Sequence, residues 1–227
     1  MPMVERAMVW TGGAAFVASL ALCALSYLVA FGRPHPSRGW PPFAADAVLF
    51  SLFAAHHSLF ARERVKRAVA AAIPPHLLRS VYVWTASILL VLVCLLWQPV
   101  GGELYDRYGA PALAHAAVQL AGVWLVARSE ARIDALELAG IRPTGGSGGL
   151  QVGGPYQLVR HPLYLGWILM VFGAARMTGD RLAFAVLTTS YLIVAIRWEE
   201  RSLARNFGDA YVRYKLAVPW RLIPFIY

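Results

Sequence analysis

The sequence predicts an all-α polytopic membrane bundle of about six transmembrane segments, the last two a short helical hairpin, followed by a cytoplasmic C-terminal helix. Of its 227 residues 59% are apolar without counting Gly, and only 15% are charged. A soluble domain has roughly 45–50% apolar residues with Gly included and about 25% charged, so no single soluble core can hide this excess. The apolar residues also fall in runs long enough to cross a hydrocarbon layer of ~30 Å as helices. Finally, the basic residues gather in alternate loops. A soluble globular protein and a disordered chain are both excluded.

Met8 to Phe31 is 24 residues long and mostly apolar, too long for a signal-peptide core and without a small-residue cleavage site, so it is a retained first span. A turn rich in Pro and Gly, Arg33 to Pro42, leads to a second span at Phe43–Phe60, with Trp40 as an interfacial anchor. Ala61 to Ile73 carries Arg62, Arg64, Lys66 and Arg67 opposite Val65, Ala68, Val69 and Ala72, the pattern of an amphipathic helix lying in the interface. Spans three and four follow at Leu77–Trp97 and Pro111–Ala127, the fourth continuing as a charged helix, Arg128 to Ala139. Gly140 to Gly154 is a Gly-rich connection with no P-loop lysine and no strand–helix context. Leu163–Ala175 and Leu182–Ile196 form the hairpin, and a polar helix from Trp198 to Leu216 ends at Pro219. We treat residues 1–227 as one domain, with 8–142 as spans and acceptor side and 143–227 as the cofactor-binding half.

With six crossings, Arg6, Arg62, Arg64, Lys66, Arg67, Arg79, Arg128, Arg132, Arg142, Arg160, Arg197, Arg201, Arg205, Arg213, Lys215 and Arg221 fall on one side. Only Arg33, Arg38, Arg107, Arg176 and Arg181 fall on the other. Sixteen against five puts both termini in the cytoplasm, the chain in a membrane such as the bacterial inner membrane, and the +9 net charge against lipid headgroups. No nucleic acid and no obligatory protein partner are expected. Cys23 and Cys94 lie in apolar runs and read as small hydrophobes, and no metal site is expected.

Reactive residue types concentrate in two places. Gly154-Pro155-Tyr156-Gln157-Leu158-Val159-Arg160-His161-Pro162-Leu163-Tyr164-Leu165-Gly166 stands at the cytoplasmic mouth of the hairpin, with Pro162 suited to a first helical turn and Gly166 to a close approach. Arg197-Trp198-Glu199-Glu200-Arg201 lies where the last apolar stretch ends. Adjacent carboxylates at such a boundary need a cation, supplied by Arg197, Arg201 and Arg205 or by a bound ligand.

GPYxxxRHPxYxG, followed 33 residues after Gly166 by Glu199-Glu200 and then by Phe207-Gly208, Tyr211 and Tyr214, resembles the C-terminal half of the isoprenylcysteine carboxyl methyltransferase and phospholipid methyltransferase superfamily. His56-His57-Ser58-Leu59-Phe60-Ala61-Arg62, Arg79-Ser80-Val81-Tyr82-Val83, Trp97-Gln98-Pro99 and the stretch Ile133 to Arg142 are similar to segments of its bacterial methanethiol S-methyltransferases. The resemblance implies an S-adenosyl-L-methionine pocket lined by Tyr156, Arg160, His161, Pro162, Tyr164, Gly166, Glu199 and Glu200 and closed by Tyr211 and Tyr214. It also implies a small lipophilic or volatile acceptor, a thiol such as methanethiol, methylated to dimethyl sulfide. Arg160 is suited to grip the donor's carboxylate bidentately.

A thiol attacks well only as thiolate, so it needs a base or a cation. His57, with His56 second, is the candidate base, and Arg197 is taken as a further catalytic residue. A prenylated cysteine carboxylate or a phospholipid amine would use the same cofactor pocket. A nicotinamide-dependent sterol-type reductase shares the Arg-His-Pro-x-Tyr element, and a non-enzymatic scaffold needs none of it. The remaining residues have ordinary readings: Asp46 as a cap of span two, Tyr82, Trp84, Trp97 and Trp124 as belt anchors, His35, His76 and His115 as incidental, and Glu130, Asp134 and Glu137 as a solvated helix face.

Overall fold

A computed structural model describes residues 2–60, 62–130, 139, 141 and 149–227. The expected charged extension beyond Glu130 and most of the Gly-rich connection lie outside the described residues. The chain separates into two compact units, residues 1–102 with 133–146, and residues 103–132 with 147–227.

In the first unit α1 (Met3–Leu25) continues into a wider last turn, Ser26–Ala30, closed by Phe31 N–H donating to the Ser26 carbonyl at 2.8 Å. Then come α2 (Trp40–Phe60), the short basic α3 (Glu63–Ala70), a single 3₁₀ turn (Pro75–Leu77) and α4 (Leu78–Leu95). α4 packs against both α1 and α2. Three expected belt anchors turn out to be packing residues. Trp84 Nε1 donates to the Met8 carbonyl at 3.0 Å, Trp97 is buried against Phe31 with ring centroids 4.7 Å apart, and Tyr82 binds a histidine on α2. Trp40 and Trp124 are the exposed ones. Asp46 does not cap α2, which begins six residues earlier. It is fully buried, and its Oδ1 accepts the Gln98 backbone N–H at 2.8 Å, so it caps the exit of α4.

In the second unit β1 (Glu103–Asp106) is followed by α5 (Ala110–Glu130), a 3₁₀ turn (Gly154–Gln157), α6 (Pro162–Phe172), β2 (Arg176–Thr178), α7 (Gly179–Phe207) and α8 (Asp209–Ala217). The two strands pair antiparallel, Glu103 with Thr178 and Asp106 with Arg176, and are clamped by Arg176, which lies 2.6 Å from Glu103 and 3.5 Å from Asp106. These strands depart from the all-α expectation. With four and three residues they are too short for alternation to register. Thr178 then caps α7 by accepting the Arg181 N–H at 3.2 Å.

α5 and α6 cross at two glycines. A Cβ on Gly122 would lie 2.6 Å from the Gly166 carbonyl oxygen, and one on Gly166 would lie 2.8 Å from that of Gly122. Gln119 donates to the Met170 carbonyl at 3.0 Å, and His115 donates from Nδ1 to that of Gly173 at 3.2 Å. Trp167 on α6 donates to Thr188 on α7 at 3.0 Å. The polar C-terminal helix expected from Trp198 has no separate start. α7 runs unbroken for 29 residues through the hydropathy boundary and stops at Gly208, whose φ of +49° lets α8 leave in a new direction. Among the described residues, five helical segments are long and apolar enough to cross a membrane: Met3–Ala30, Trp40–Phe60, Pro75–Leu95, Ala110–Glu130 and Gly179–Phe207. The protein is therefore an integral membrane protein, predominantly helical.

Candidate active site

The site grows from the start of α6. Pro162 occupies its first turn, where a missing N–H costs nothing. The two residues before it are tied by their backbones to the C-terminal segment: Arg160 N–H donates to the Trp220 carbonyl and His161 N–H to that of Arg221, both at 2.9 Å. This pairing aims both side chains at the end of α7, where Glu199 and Glu200 stand.

Glu200 is held by cations from elsewhere in the chain. Arg160 Nε donates to its Oε1 at 2.7 Å and Arg221 Nε to its Oε2 at 3.2 Å. The side chains of Arg160 and Glu200 are only 5% and 8% exposed, a buried ion pair in all but name. Arg160 Nη1 also donates to the carbonyls of Val218 and Pro219 at 2.8 and 2.6 Å. The Nε and Nη1 donors expected to grip a ligand carboxylate are thus committed within the protein. Arg197, by contrast, is exposed, as are Arg201 and Arg205, so the arginines nearest in sequence are not the partners of the Glu pair.

Glu199 faces outward with its side chain 43% exposed, and accepts the Tyr164 hydroxyl at 2.7 Å. His161, 3% exposed, lies between the two acids, its Nδ1 3.6 Å from Glu199 Oε2 and its Nε2 3.6 Å from Glu200 Oε1, with its ring stacked on Tyr164 at 5.4 Å. Its Nε2 has no hydrogen-bond partner among the described residues, nor has the buried hydroxyl of Tyr211 beside Glu200. Two unsatisfied polar atoms next to a buried carboxylate are costly unless something else completes them.

The tyrosines form the wall. Tyr211, Tyr214 and Val218 make a buried cluster on which Tyr156, Leu150, Leu203 and Phe207 pack, and the Tyr214 hydroxyl donates to the Tyr156 carbonyl at 2.7 Å. Burial pushes the Tyr214 phenol up to about 12 against the opposing pull of Arg160. Burial and Glu200 raise Tyr211, and burial, Glu199 and Glu130 raise Tyr156. All three are therefore neutral hydrogen-bond donors at any physiological pH. The structure thus brings together Tyr156, Arg160, His161, Pro162, Tyr164, Glu199, Glu200, Tyr211 and Tyr214. Gly166 lies one turn along α6 and faces Gly122, the packing role of a small residue.

Sequence reasoning did not single out Arg221. Its signal is weak, a lone basic residue between Trp220 and Leu222 in a tail, and its partner lies 21 residues away.

His56 and His57 lie in the first unit, on the last turns of α2. Tyr82 Oη is 2.5 Å from His57 Nδ1, and His56 Nε2 donates to the Tyr82 carbonyl at 3.3 Å.

Residues 112–210, which hold most of the acid pair's surroundings, match the family model described as phospholipid methyltransferase. A methanethiol S-methyltransferase of Bradyrhizobium diazoefficiens is 36% identical over 79% of this chain and 72% of its own length. The chain belongs to the phospholipid and isoprenylcysteine methyltransferase family. A methanethiol S-methyltransferase of a Pseudomonas strain is 32% identical over 87% of this chain and 82% of its own. The isoprenylcysteine O-methyltransferase B of Arabidopsis thaliana is 36% identical, but over only 32% of this chain and 38% of its own. No solved structure matches the chain. The protein is thus a membrane methyltransferase, and neither the reductase nor the scaffold reading stands.

Proposed function

We propose that this methyltransferase transfers a methyl group from S-adenosyl-L-methionine to a small lipophilic thiol, methanethiol in the first instance, with dimethyl sulfide as product. One observation carries the choice of acceptor. The likeness to methanethiol S-methyltransferases extends over 79–87% of the chain, and so necessarily beyond residues 112–210, into the half expected to hold the acceptor. The likeness to an isoprenylcysteine enzyme covers about a third.

The residues at the acid pair suit the donor. Bound there, S-adenosyl-L-methionine supplies an electrophilic methyl on a sulfonium. Glu199, exposed and already polarised by Tyr164, suits its amino group or ribose hydroxyls. His161 Nε2 and the Tyr211 hydroxyl are the unsatisfied buried groups a ligand would complete. Glu200 and Arg160 hold that wall in place. Charged partners that bind the donor's amino or ribose groups and not its sulfonium would avoid over-stabilising a charge that disappears in the transition state.

His57 is the base, with His56 as alternative. The thiol proton passes to an imidazole nitrogen and the sulfur keeps the S–H electron pair, which leaves a thiolate able to attack an electrophilic methyl group. Imidazole suits this transfer because it titrates near neutral pH.

We infer six crossings with both termini and the donor site cytoplasmic. α6 has only 11 residues, ~16 Å of helix. The three residues of β2, Arg176–Thr178, add ~10 Å of extended chain, which together with α6 approaches ~30 Å of hydrocarbon. Pairing with β1 gives that extended backbone hydrogen bonds a membrane would deny it.

Calorimetric titration of the purified protein with S-adenosyl-L-methionine, followed by turnover with methanethiol, an isoprenylcysteine analogue and phosphatidylethanolamine in parallel, tests the proposal. Saturable donor binding with dimethyl sulfide as the dominant product is expected. Donor binding with methylation only of the prenylated or lipid acceptor overturns the choice of thiol.

A further inference from the structure

Cys23 and Cys94, the two cysteines of the chain, are 71 residues apart in sequence and neighbours in the first unit. α1 and α4 pack against each other and run in the same direction. Near the start of both, Trp84 donates to the Met8 carbonyl and lies against Gly12; past the end of both, Phe31 meets Trp97. Cys23 lies 11 residues past Gly12 and Cys94 ten past Trp84, about 16 and 15 Å of helix, so this register puts the two at one level between those contacts. The side chains meet there. The thiols hydrogen-bond each other, and Cys94 also hydrogen-bonds the side chain of Ser26. Cys23 is buried and Cys94 half-buried, so Cys94 is the one more open to a reagent.

Two small apolar side chains would fill this space equally well. What the thiols add is reactivity. A disulfide bond is ~2.05 Å long, so hydrogen-bonded sulfurs must close by roughly 1.5–2 Å, a distance that side-chain rotation can supply. The contacts at Trp84 and at Trp97 hold the two helices in register on either side of the pair. In the six-crossing reading the ends of α1 and α4 that carry the cysteines face away from the cytoplasm, the compartment in which thiols are kept reduced.

We propose that Cys23 and Cys94 are a reversible oxidation site, which reacts with an organic disulfide and closes to a disulfide bond stapling α1 to α4. The Cys94 sulfur gives up its proton and bonds one sulfur of the reagent, whose S–S bond breaks and whose other half leaves as a thiol carrying that proton. The Cys23 sulfur then gives up its proton and bonds the Cys94 sulfur, and the second half of the reagent leaves as thiol. Two electrons pass from the pair to the reagent: two cysteines are oxidised to one disulfide and one reagent disulfide is reduced to two thiols. A dithiol reductant reverses both steps. The staple closes a loop of roughly 70 residues around α2 and α3, and so restricts the unfolded chain.

The test uses the full-length protein in nanodiscs, treated with dimethyl disulfide, which dissolves in lipid, or with oxidised glutathione, which is charged and stays in water. Quenching, denaturation and maleimide alkylation follow, and mass spectrometry counts the remaining thiols. Loss of both alkylation sites with no reagent adduct, a cross-linked Cys23–Cys94 peptide, and a thermal unfolding temperature raised by roughly 5–10 °C and restored by dithiothreitol are expected. Closure by dimethyl disulfide alone traces the reagent's path through lipid, and closure by oxidised glutathione traces it through water. Cys23→Ser should stop at a mixed disulfide on Cys94, and Cys94→Ser should react about tenfold more slowly or not at all. Two alkylated thiols after both reagents, or a mixed disulfide on the parent chain that never resolves, overturns the proposal. A Cys94→Ser chain that reacts as fast as the parent overturns Cys94 as the point of entry. Closure is read on purified protein, so its failure is distinct from a failure of the six-crossing or the thiol-methylation reading.

Discussion

Glu199 and Glu200 are neighbours in sequence and opposites in surroundings, because successive residues on a helix point about 100° apart. Glu200 turns inward to Arg160 and Arg221, while Glu199 turns outward to Tyr164. Their substitutions should therefore fail differently. Glu200→Ala leaves the Arg160 charge buried and unpaired, at a cost of about 3–5 kcal/mol, and should lower the thermal unfolding temperature in detergent sharply. Glu199→Gln should leave that temperature nearly unchanged and weaken S-adenosyl-L-methionine binding about tenfold or more, since a charge-assisted contact is worth roughly 1.5–3 kcal/mol. Equal melting temperatures for the two variants would refute this division of roles. The sequence made the acid pair legible as a site because its spacing from the Arg-His-Pro element is distinctive. It did not make the partners legible: the arginines three, one and five residues from Glu200 stay in solvent, and those that bind it come from 40 and 21 residues away. Such distant pairings leave no local periodicity to read. Tyr82 was obscured for another reason, since a tyrosine at a span boundary has the same appearance whether it faces lipid or a histidine.

At the scale of elements, hydropathy located the long helices to within a few residues and misjudged where helix ends and water begins. α7 continues past Ile196 because nothing in Arg197 to Phe207 breaks a helix. Charged residues change the solvent around the backbone and leave its conformation alone. The glycine at 166 was legible as a point of close approach, but the sequence could not say to what. The structure answers with Gly122 on α5, and a prediction follows. Gly166→Ala and Gly122→Ala each place a methyl group 2.8 Å or less from a backbone oxygen of the facing helix, which must move. Each should destabilise the protein by about 1–3 kcal/mol, the usual cost of overpacking. Donor affinity per folded molecule, measured by calorimetry below the melting transition, should change little for Gly122→Ala. A Gly122→Ala chain as stable as the parent would show that α5 and α6 can separate there without cost.

For the whole molecule the informative quantity is the distribution of charge among loops. If the proposed six crossings hold, sixteen basic residues fall on one side and five on the other, a bias large enough to set orientation, and Arg160, Glu199, Glu200 and Arg221 would lie on the side where a soluble, charged donor is made. The five helices of spanning length among the described residues would alone put the termini on opposite sides, so whether α6 and β2 also cross decides the matter. Single cysteines in a Cys23→Ser/Cys94→Ser background distinguish the cases. Ser37, exposed in the turn after α1, and Lys215, exposed on α8, are suitable positions. In intact bacterial cells a membrane-impermeant maleimide should label Ser37→Cys and should reach Lys215→Cys only after the membrane is permeabilised. A cysteine replacing Met3 should behave like Lys215→Cys, since an even number of crossings returns the chain to its starting side. Labelling of Lys215→Cys in intact cells while Met3→Cys stays protected would mean that α6 does not cross, and would move the donor site to the wrong side of the membrane for its cofactor.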